Sequence, residues 1–138
     1  GFTGWSPDGK YLITGGGSGE LDVYYFNNLN ETLTLKDTAS VTGTELGGAW
    51  SSYGDFIACT SDNSEVKIYS FDRKTEKLSL ATSKTIETAN VHGVSWSKDS
   101  RYVSVANDVT VGNPSVRIYW FTGNSLTQVA IVNLGSSG

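Results

Sequence analysis

The sequence lacks several features that would each indicate a particular class of protein. Cys59 is the only cysteine in 138 residues, so neither an internal disulfide nor a thiolate metal cluster can form. No apolar run approaches the length of a membrane helix. The net charge is −4, and the densest basic cluster, Arg73, Lys74 and Lys77, falls in a turn that we interpret as solvated. Because no basic face can meet phosphates, we expect neither nucleic acid nor a membrane as a partner.

Methionine is absent and proline occurs only 2 times, whereas glycine occurs 16 times. A chain without methionine does not begin at a translation start, so we expect an excised or processed piece of a longer protein. Residues 135–138 read Gly-Ser-Ser-Gly, which resembles a flexible linker. Many glycines with few prolines fit a protein with tight turns between strands.

A repeated pattern of aromatic residues organises the sequence. Trp5, Trp50 and Trp96 stand 45 and 46 residues apart, and a serine follows each of them. Each repeat then contains a tyrosine and, two residues later, a phenylalanine. These residues are Tyr24, Tyr69, Tyr119, Phe26, Phe71 and Phe121. We expect the nine repeated aromatic residues to form the structural core, with the tryptophans largely buried.

Each repeat contains four short apolar runs with the length and the β-branched or aromatic content of strands. Four strands in a unit of this length are typical of a β-propeller blade. The sequence therefore predicts an all-β fold, a β-propeller made of four-stranded antiparallel blades with three blades per chain. The predicted units are blade one at 1–45, blade two at 46–90, blade three at 91–134 and a linker-like tail at 135–138.

Three motifs resemble propeller families. Residues 5–12, WSPDGKYL, resemble the start of a WD-repeat or lactonase-like blade, and residues 61–69, SDNSEVKIY, are similar to the end of a WD repeat. Residues 92–94, His-Gly-Val, followed by Trp96, resemble the blade start of lactonase-like, seven-bladed propellers. The resemblance implies a propeller fold as far as about Leu134.

Polar residues in the predicted loops of one blade face are the candidate binding residues. These loops join the second strand to the third, or the fourth strand to the next blade, and we place them at 15–20, 40–46, 61–65, 87–92 and 107–115. Ring-shaped proteins bind partners on such rims. The candidates are Glu45, Asp62, Asn90, His92, Asn107 and Asp108. The alternative is that these side chains only cap strands and turns.

No convergent set of acid, base, nucleophile and metal ligands is visible in the sequence. His92 is the only histidine, and no repeated carboxylate accompanies it. We therefore expect no catalytic residue, no metal and no cofactor. The leading hypothesis is a non-enzymatic binding or scaffold module for a protein or peptide. The alternatives are a fragment of a lactonase-like hydrolytic propeller and a designed or excised repeat fragment.

Three blades are fewer than the roughly 4–8 blades of a closed propeller. An open row would leave one face of blade one and one face of blade three uncovered, which soluble monomers rarely tolerate. Two chains related by a two-fold axis would cover both faces and close a six-bladed ring. We therefore expect a homodimer, unless further blades of a longer parent chain cover these faces.

Overall fold

The computed structural model describes residues 1–86, 89–109 and 115–135, without the side chains of residues 45, 46, 89, 90, 108 and 109. Within this part of the chain there are 12 β-strands and no helix. The strands form three four-stranded sheets, and in each sheet consecutive strands are antiparallel neighbours. This is the arrangement that the four apolar runs of each repeat predict.

The strand bounds show the same order in each repeat. The first sheet contains β1 (Phe2–Trp5), β2 (Tyr11–Gly15), β3 (Glu20–Asn27) and β4 (Thr32–Ser40). The second contains β5 (Glu45–Trp50), β6 (Phe56–Ser61), β7 (Glu65–Asp72) and β8 (Lys77–Thr85). The third contains β9 (Ala89–Trp96), β10 (Tyr102–Val109), β11 (Ser115–Phe121) and β12 (Leu126–Asn133). We call these sheets blades one, two and three.

The serine after each repeated tryptophan closes the first hairpin of its blade. In blade one, the backbone N–H of Ser6 donates to the Tyr11 carbonyl at 2.8 Å, and its hydroxyl oxygen accepts from the Tyr11 N–H at 2.9 Å. Ser51 and Ser97 make the same pair of bonds in the other blades. The serine of the repeated Trp-Ser dipeptide therefore closes the turn of the first hairpin in each blade.

A β-bulge occurs at the same place in all three blades. The pairing of the third and fourth strands shifts directly before Tyr24, Tyr69 and Tyr119. An extra residue on one strand increases the local twist of the sheet and bends it. The repeat thus specifies the curvature of each blade as well as its strands.

The blades pack face to face through two apolar clusters. Between blades one and two, Ile13, Leu21 and Val23 meet Ile57 and Cys59. Between blades two and three, buried side chains of both sheets form the second cluster, which includes Ala58, Val66, Ile68, Val91, Val103, Val105 and Tyr119. Strands of blade two are therefore covered on both sides, which is why residues 57–61 are all buried.

One expectation for the repeated aromatic residues is wrong. Trp50 is 8% exposed, whereas Trp5 is 53% exposed. Tyr24 and Phe26 are likewise only partly buried, although Tyr69, Tyr119, Phe71 and Phe121 are buried. The physical reason is that no blade of this chain lies on the blade-one face that carries Trp5. The same residue type is core or surface according to whether a preceding blade covers it.

Two glycines allow the first strands of neighbouring blades to approach closely. A Cβ atom on Gly47 would overlap the backbone carbonyl oxygen of His92 in β9, and one on Gly48 would overlap the ring of Phe2 in β1. Gly93 occupies the position of Gly47 in blade three, where a Cβ atom would lie 3.7 Å from the Cβ of Ala106, an ordinary contact. The close approach that requires glycine at residue 47 is therefore a contact between blades.

Candidate functional site

The structure places most of the candidate rim residues in strands instead of loops. The predicted loops 87–92 and 107–115 were too long, because the pairing of β9 with β10 continues beyond a register shift at Ala106/Asn107. The residues in strands are Glu45, Asn90, His92, Asn107 and Asp108. The side chains of Glu45, Asn90 and Asp108 lie outside the described residues.

Among the described side chains, those of Asp62 and Asn107 accept hydrogen bonds within the chain. The Oδ1 atom of Asp62 accepts from the backbone N–H of Thr44 at 2.8 Å, which fastens the connection between blades one and two. Asn107 is buried, and its Oδ1 accepts from the hydroxyl of Ser115 at 2.5 Å and from Nη1 of Arg117 at 2.7 Å. These contacts match the alternative interpretation, in which such side chains satisfy turns and strand ends. His92 has an exposed side chain on β9.

A polar cluster joins blades one and two at the opposite end of the strands from these loops. Nη1 of Arg73 donates to Oδ2 of Asp8 at 2.6 Å, and its guanidinium lies 5.2 Å from the centre of the Tyr11 ring. The hydroxyl of Tyr11 donates to Oε2 of Glu76 at 3.1 Å, and Lys36 pairs with Oε1 of that carboxylate at 3.3 Å. Arg73 of the basic cluster, which we interpret as a solvated loop, is thus partly exposed and also contacts Asp8 of the other blade.

The surroundings of Asp8 and Tyr11 keep both groups in their ordinary charge states at neutral pH. Burial opposes the charge of Asp8, but hydrogen bonds from Ser6, the Lys10 N–H and Arg73 outweigh it and lower the pKa of Asp8 to about 2. Burial, followed by the bond to Glu76, raises the pKa of Tyr11 to about 12. Asp8 is thus an anionic acceptor and Tyr11 a neutral donor.

The lowered pKa of Asp8 gives a pH dependence of stability. A carboxyl with a depressed pKa stabilises the fold above its ordinary value of 3.8, and this contribution is lost as the pH falls towards about 2. We expect Asp8→Asn to reduce the fall in the free energy of unfolding between these pH values, measured by urea denaturation. Asp99→Asn is the matched control, because Asp99 accepts the equivalent turn bonds from Ser97 and Arg101. If both substitutions changed the pH dependence of the free energy of unfolding equally, this would contradict a contribution of Arg73 to the lowered pKa of Asp8.

Each end of the row of blades presents an open face. On blade one, the indole of Trp5 packs edge-to-face on Phe26, with ring centres 5.3 Å apart. The open face of blade three carries a shallow depression of about 330 Å³. Its lining residues are Gly93, Val94, Ser95, Ser104, Ala106 and Val116. In blade two the residues equivalent to Gly93, Ser95, Ser104, Ala106 and Val116 face blade three, so the depression lies where a further blade would pack.

Within the described part of the chain, no group of three or more His, Cys, Asp or Glu side chains could hold a metal ion. A search of the same residues finds no helix that is long and apolar enough to cross a membrane.

No family model and no curated protein matches this sequence, but solved structures match its fold over nearly the whole chain. Sqt1 from Saccharomyces cerevisiae has a TM-score of 0.79 at 15% identity, over 96% of this chain and 34% of Sqt1. A Bacteroides uniformis protein provisionally described as a 6-phosphogluconolactonase has a TM-score of 0.81 at 20% identity, over 96% of this chain and 40% of that one. The periplasmic gluconolactonase PpgL of Pseudomonas aeruginosa has a TM-score of 0.80 at 19% identity, over 96% and 39%.

The chain is built of β-propeller blades. The matching structures are propeller proteins, and together with the three antiparallel sheets they confirm the predicted fold class. Identities of 15–20% show the fold alone. The chain spans 34–40% of the length of these three proteins, which include both gluconolactonases and Sqt1.

Proposed function

We propose that the chain is a propeller segment that works as a non-enzymatic binding or scaffold module and that completes its ring with a second copy of itself. The observation that carries the proposal is the aromatic pair on the open face of blade one. The ring centres of Trp5 and Phe26 are 5.3 Å apart, against 5.4 Å for Trp50 and Phe71 and 5.5 Å for the third pair, Trp96 and Phe121. The exposed pair has the same edge-to-face geometry as the two pairs at the internal blade junctions.

The open face of blade three carries the features that receive such a pair at an internal junction. Between blades two and three, the indole N–H of Trp96 donates to the Ala49 carbonyl at 3.1 Å, and the Trp96 ring stacks on Phe56. The repeat places Ser95 at the position of Ala49 and Tyr102 at the position of Phe56. A second copy could therefore present Trp5 to blade three in the manner of an internal junction. Two chains of three blades would close a six-bladed ring, within the range of about 4–8 for propellers.

A substitution at Gly93 tests this association without disturbing the fold. Gly93 is the blade-three equivalent of Gly47, whose missing Cβ lets the next blade approach, and a Cβ atom on Gly93 meets only Ala106 at 3.7 Å. We expect Gly93→Ala to leave the circular dichroism spectrum unchanged and to weaken self-association at least about tenfold. Overlap at a packed interface costs roughly 1–3 kcal/mol, and the two-fold ring contains this contact twice. Sedimentation velocity over a dilution series measures the self-association of the parent chain and of the variant.

Two outcomes would contradict the proposed interface. If Gly93→Ala associates as tightly as the parent chain, the inner edge of blade three is not in the contact. If Trp5→Asp, which places a charge on the other open face, also associates normally, then neither face is used. A folded Gly93→Ala monomer next to a parent dimer is the result that the proposal predicts.

A lactonase-like activity is the second candidate, and the observation that favours it is the structural likeness to the gluconolactonase PpgL and to the protein provisionally described as a 6-phosphogluconolactonase. His92, which opens the His-Gly-Val motif, is its one candidate base. The test is turnover of gluconolactone by the parent chain and by His92→Ala. If the parent chain turns over gluconolactone and the folded variant does not, the lactonase proposal replaces the scaffold proposal. Equal rates for the parent chain, the variant and buffer would support the scaffold proposal.

A further inference from the structure

A second recess lies between blades two and three, away from both open faces. It is a cleft of about 290 Å³, and the described residues that line it are Lys84, Thr85, Ile86, Arg117, Tyr119 and Gln128. Its walls are the end of β8 in blade two and the strands β11 and β12 in blade three. Five of the six lining side chains carry a hydrogen-bonding group, and two of these carry a positive charge. The cleft is thus a polar recess in a chain whose net charge is −4.

The equivalent position between blades one and two is neutralised within the chain. There, Lys67 occupies the place of Arg117 and pairs with Oε2 of Glu65 at 3.5 Å and with the Thr42 hydroxyl at 3.3 Å. The hydroxyl of Tyr69, which corresponds to Tyr119, donates to the Ser40 carbonyl at 3.3 Å. Both the cation and the phenol therefore have partners at this junction.

At the position of Glu65, blade three has a hydroxyl instead of a carboxylate. Ser115 stands at the position of Glu65, and Nη1 of Arg117 donates to Oγ of Ser115 at 3.0 Å and to Oδ1 of Asn107 at 2.7 Å. Both acceptors are neutral, so they orient the guanidinium without cancelling its charge. A guanidinium has five N–H donors, and only Nη1 is used in these contacts. Among the described residues, neither Arg117 nor Lys84 forms a salt bridge with a carboxylate.

Tyr119 adds a hydrogen-bond donor to the same cleft. The residue as a whole is 2% exposed, but its hydroxyl is open to the cleft, and no described residue forms a hydrogen bond with it. Burial raises the pKa of Tyr119, against an opposing effect of Arg117, so the phenol remains protonated at neutral pH and can donate. A phenol that is open to the cleft can donate this hydrogen bond to a bound ligand.

We infer that this cleft binds a phosphate monoester, with Arg117 and Lys84 neutralising its charge and Tyr119 donating a further hydrogen bond. A phosphate monoester carries a charge of about −1.5 to −2 at neutral pH and three acceptor oxygens, which matches two cations and a phenol. An arginine held in one orientation suits bidentate phosphate recognition. The inference is independent of ring closure, because all six lining residues belong to one chain. The ester can be a phosphorylated side chain of a partner polypeptide or a small free phosphate.

Calorimetric titration of the full chain with two probes tests the inference and separates these sources. The probes are inorganic phosphate and a short phosphoserine peptide, with the unphosphorylated peptide as the blank. We expect saturable binding that Arg117→Gln weakens by about tenfold or more, the usual effect of losing a charge-assisted hydrogen bond. Lys84→Gln, at an exposed position, should weaken it by a smaller factor, and added salt should weaken it further. The matched control is Lys67→Gln, which removes the equivalent cation of the other junction and should change nothing.

A substitution taken from the repeat itself provides the sharpest variant. Ser115→Glu restores the carboxylate that blade two has at Glu65, and it should abolish phosphate binding by neutralising Arg117 from inside the chain. If that buried substitution prevents folding, Lys84→Gln and Arg117→Gln still decide the question. Tighter binding of the phosphopeptide than of inorganic phosphate assigns the cleft to a partner's side chain, and equal binding assigns it to a free phosphate. No saturable binding of either probe, or an equal loss in Lys67→Gln, would overturn the inference.

Discussion

Gly47→Ala is expected to destabilise the chain by about 3 kcal/mol or more, at the upper end of the costs known for overpacking. The added Cβ atom would overlap the carbonyl oxygen of His92 and lie 3.1 Å from Oγ1 of Thr60. Since the overlapped atom belongs to the backbone of β9, no change of side-chain rotamer can relieve it. The blades would have to separate at their inner edge, where Thr60 also donates a 2.8 Å hydrogen bond to the His92 carbonyl.

The matched control for this effect is Gly93→Ala, measured by urea denaturation of the same dilute protein. A glycine-to-alanine change that causes no strain usually stabilises a protein by about 0.4–1 kcal/mol through the unfolded chain. We expect Gly93→Ala to follow that rule, because its Cβ atom meets Ala106 at an ordinary 3.7 Å. An equal denaturation midpoint for both variants would contradict the close packing of β5 against β9.

Trp50→Ala is the second substitution with a large expected effect, about 3–5 kcal/mol, the range for a large aromatic side chain lost from a core. Trp50 is 8% exposed, and its ring centre lies 5.4 Å from Phe71 and 6.4 Å from Tyr11. Truncation would leave a cavity between blades one and two that rigid sheets cannot fill.

Trp5→Ala serves as the control for the same residue type in the same repeat position. Trp5 is 53% exposed, and its aromatic contact among the described residues is with Phe26 of its own blade. We expect Trp5→Ala to lower the free energy of unfolding by less than half as much as Trp50→Ala. Both variants are measured by denaturation at concentrations where the chain is monomeric. Equal losses would mean that the open face of blade one is covered within a single chain.

The sequence predicted the blades well because their signal repeats. The signal consists of three tryptophans at a spacing of 45 and 46 residues, each followed by a serine that closes a turn. This pattern predicts the number of sheets and the order of their strands. Strand ends were predicted less well. The extent of β10 to Val109 depends on its pairing with β9, and this pairing passes through a register shift that no local residue pattern indicates.

Features that depend on contacts between blades could not be predicted from the repeat. The sequence places Arg73 in a charged turn, but only the packing of two sheets brings it to Asp8 of another blade. The burial of Trp50 and the exposure of Trp5 have the same cause, since their local sequences are alike and their neighbours differ. The cleft at Arg117 could have been found by aligning blades two and three, because Ser115 replaces Glu65 two residues before the positive charge of Lys67 or Arg117.

The central claim is that the two open faces of the row complement each other. Light scattering coupled to gel filtration of the parent chain at micromolar concentration tests it most directly, because the mass of one chain is 14.8 kDa. The proposed ring predicts a single species of twice that mass, which dissociates on dilution and is absent for Gly93→Ala. A folded, cooperatively unfolding monomer of 14.8 kDa at the same concentration would contradict it.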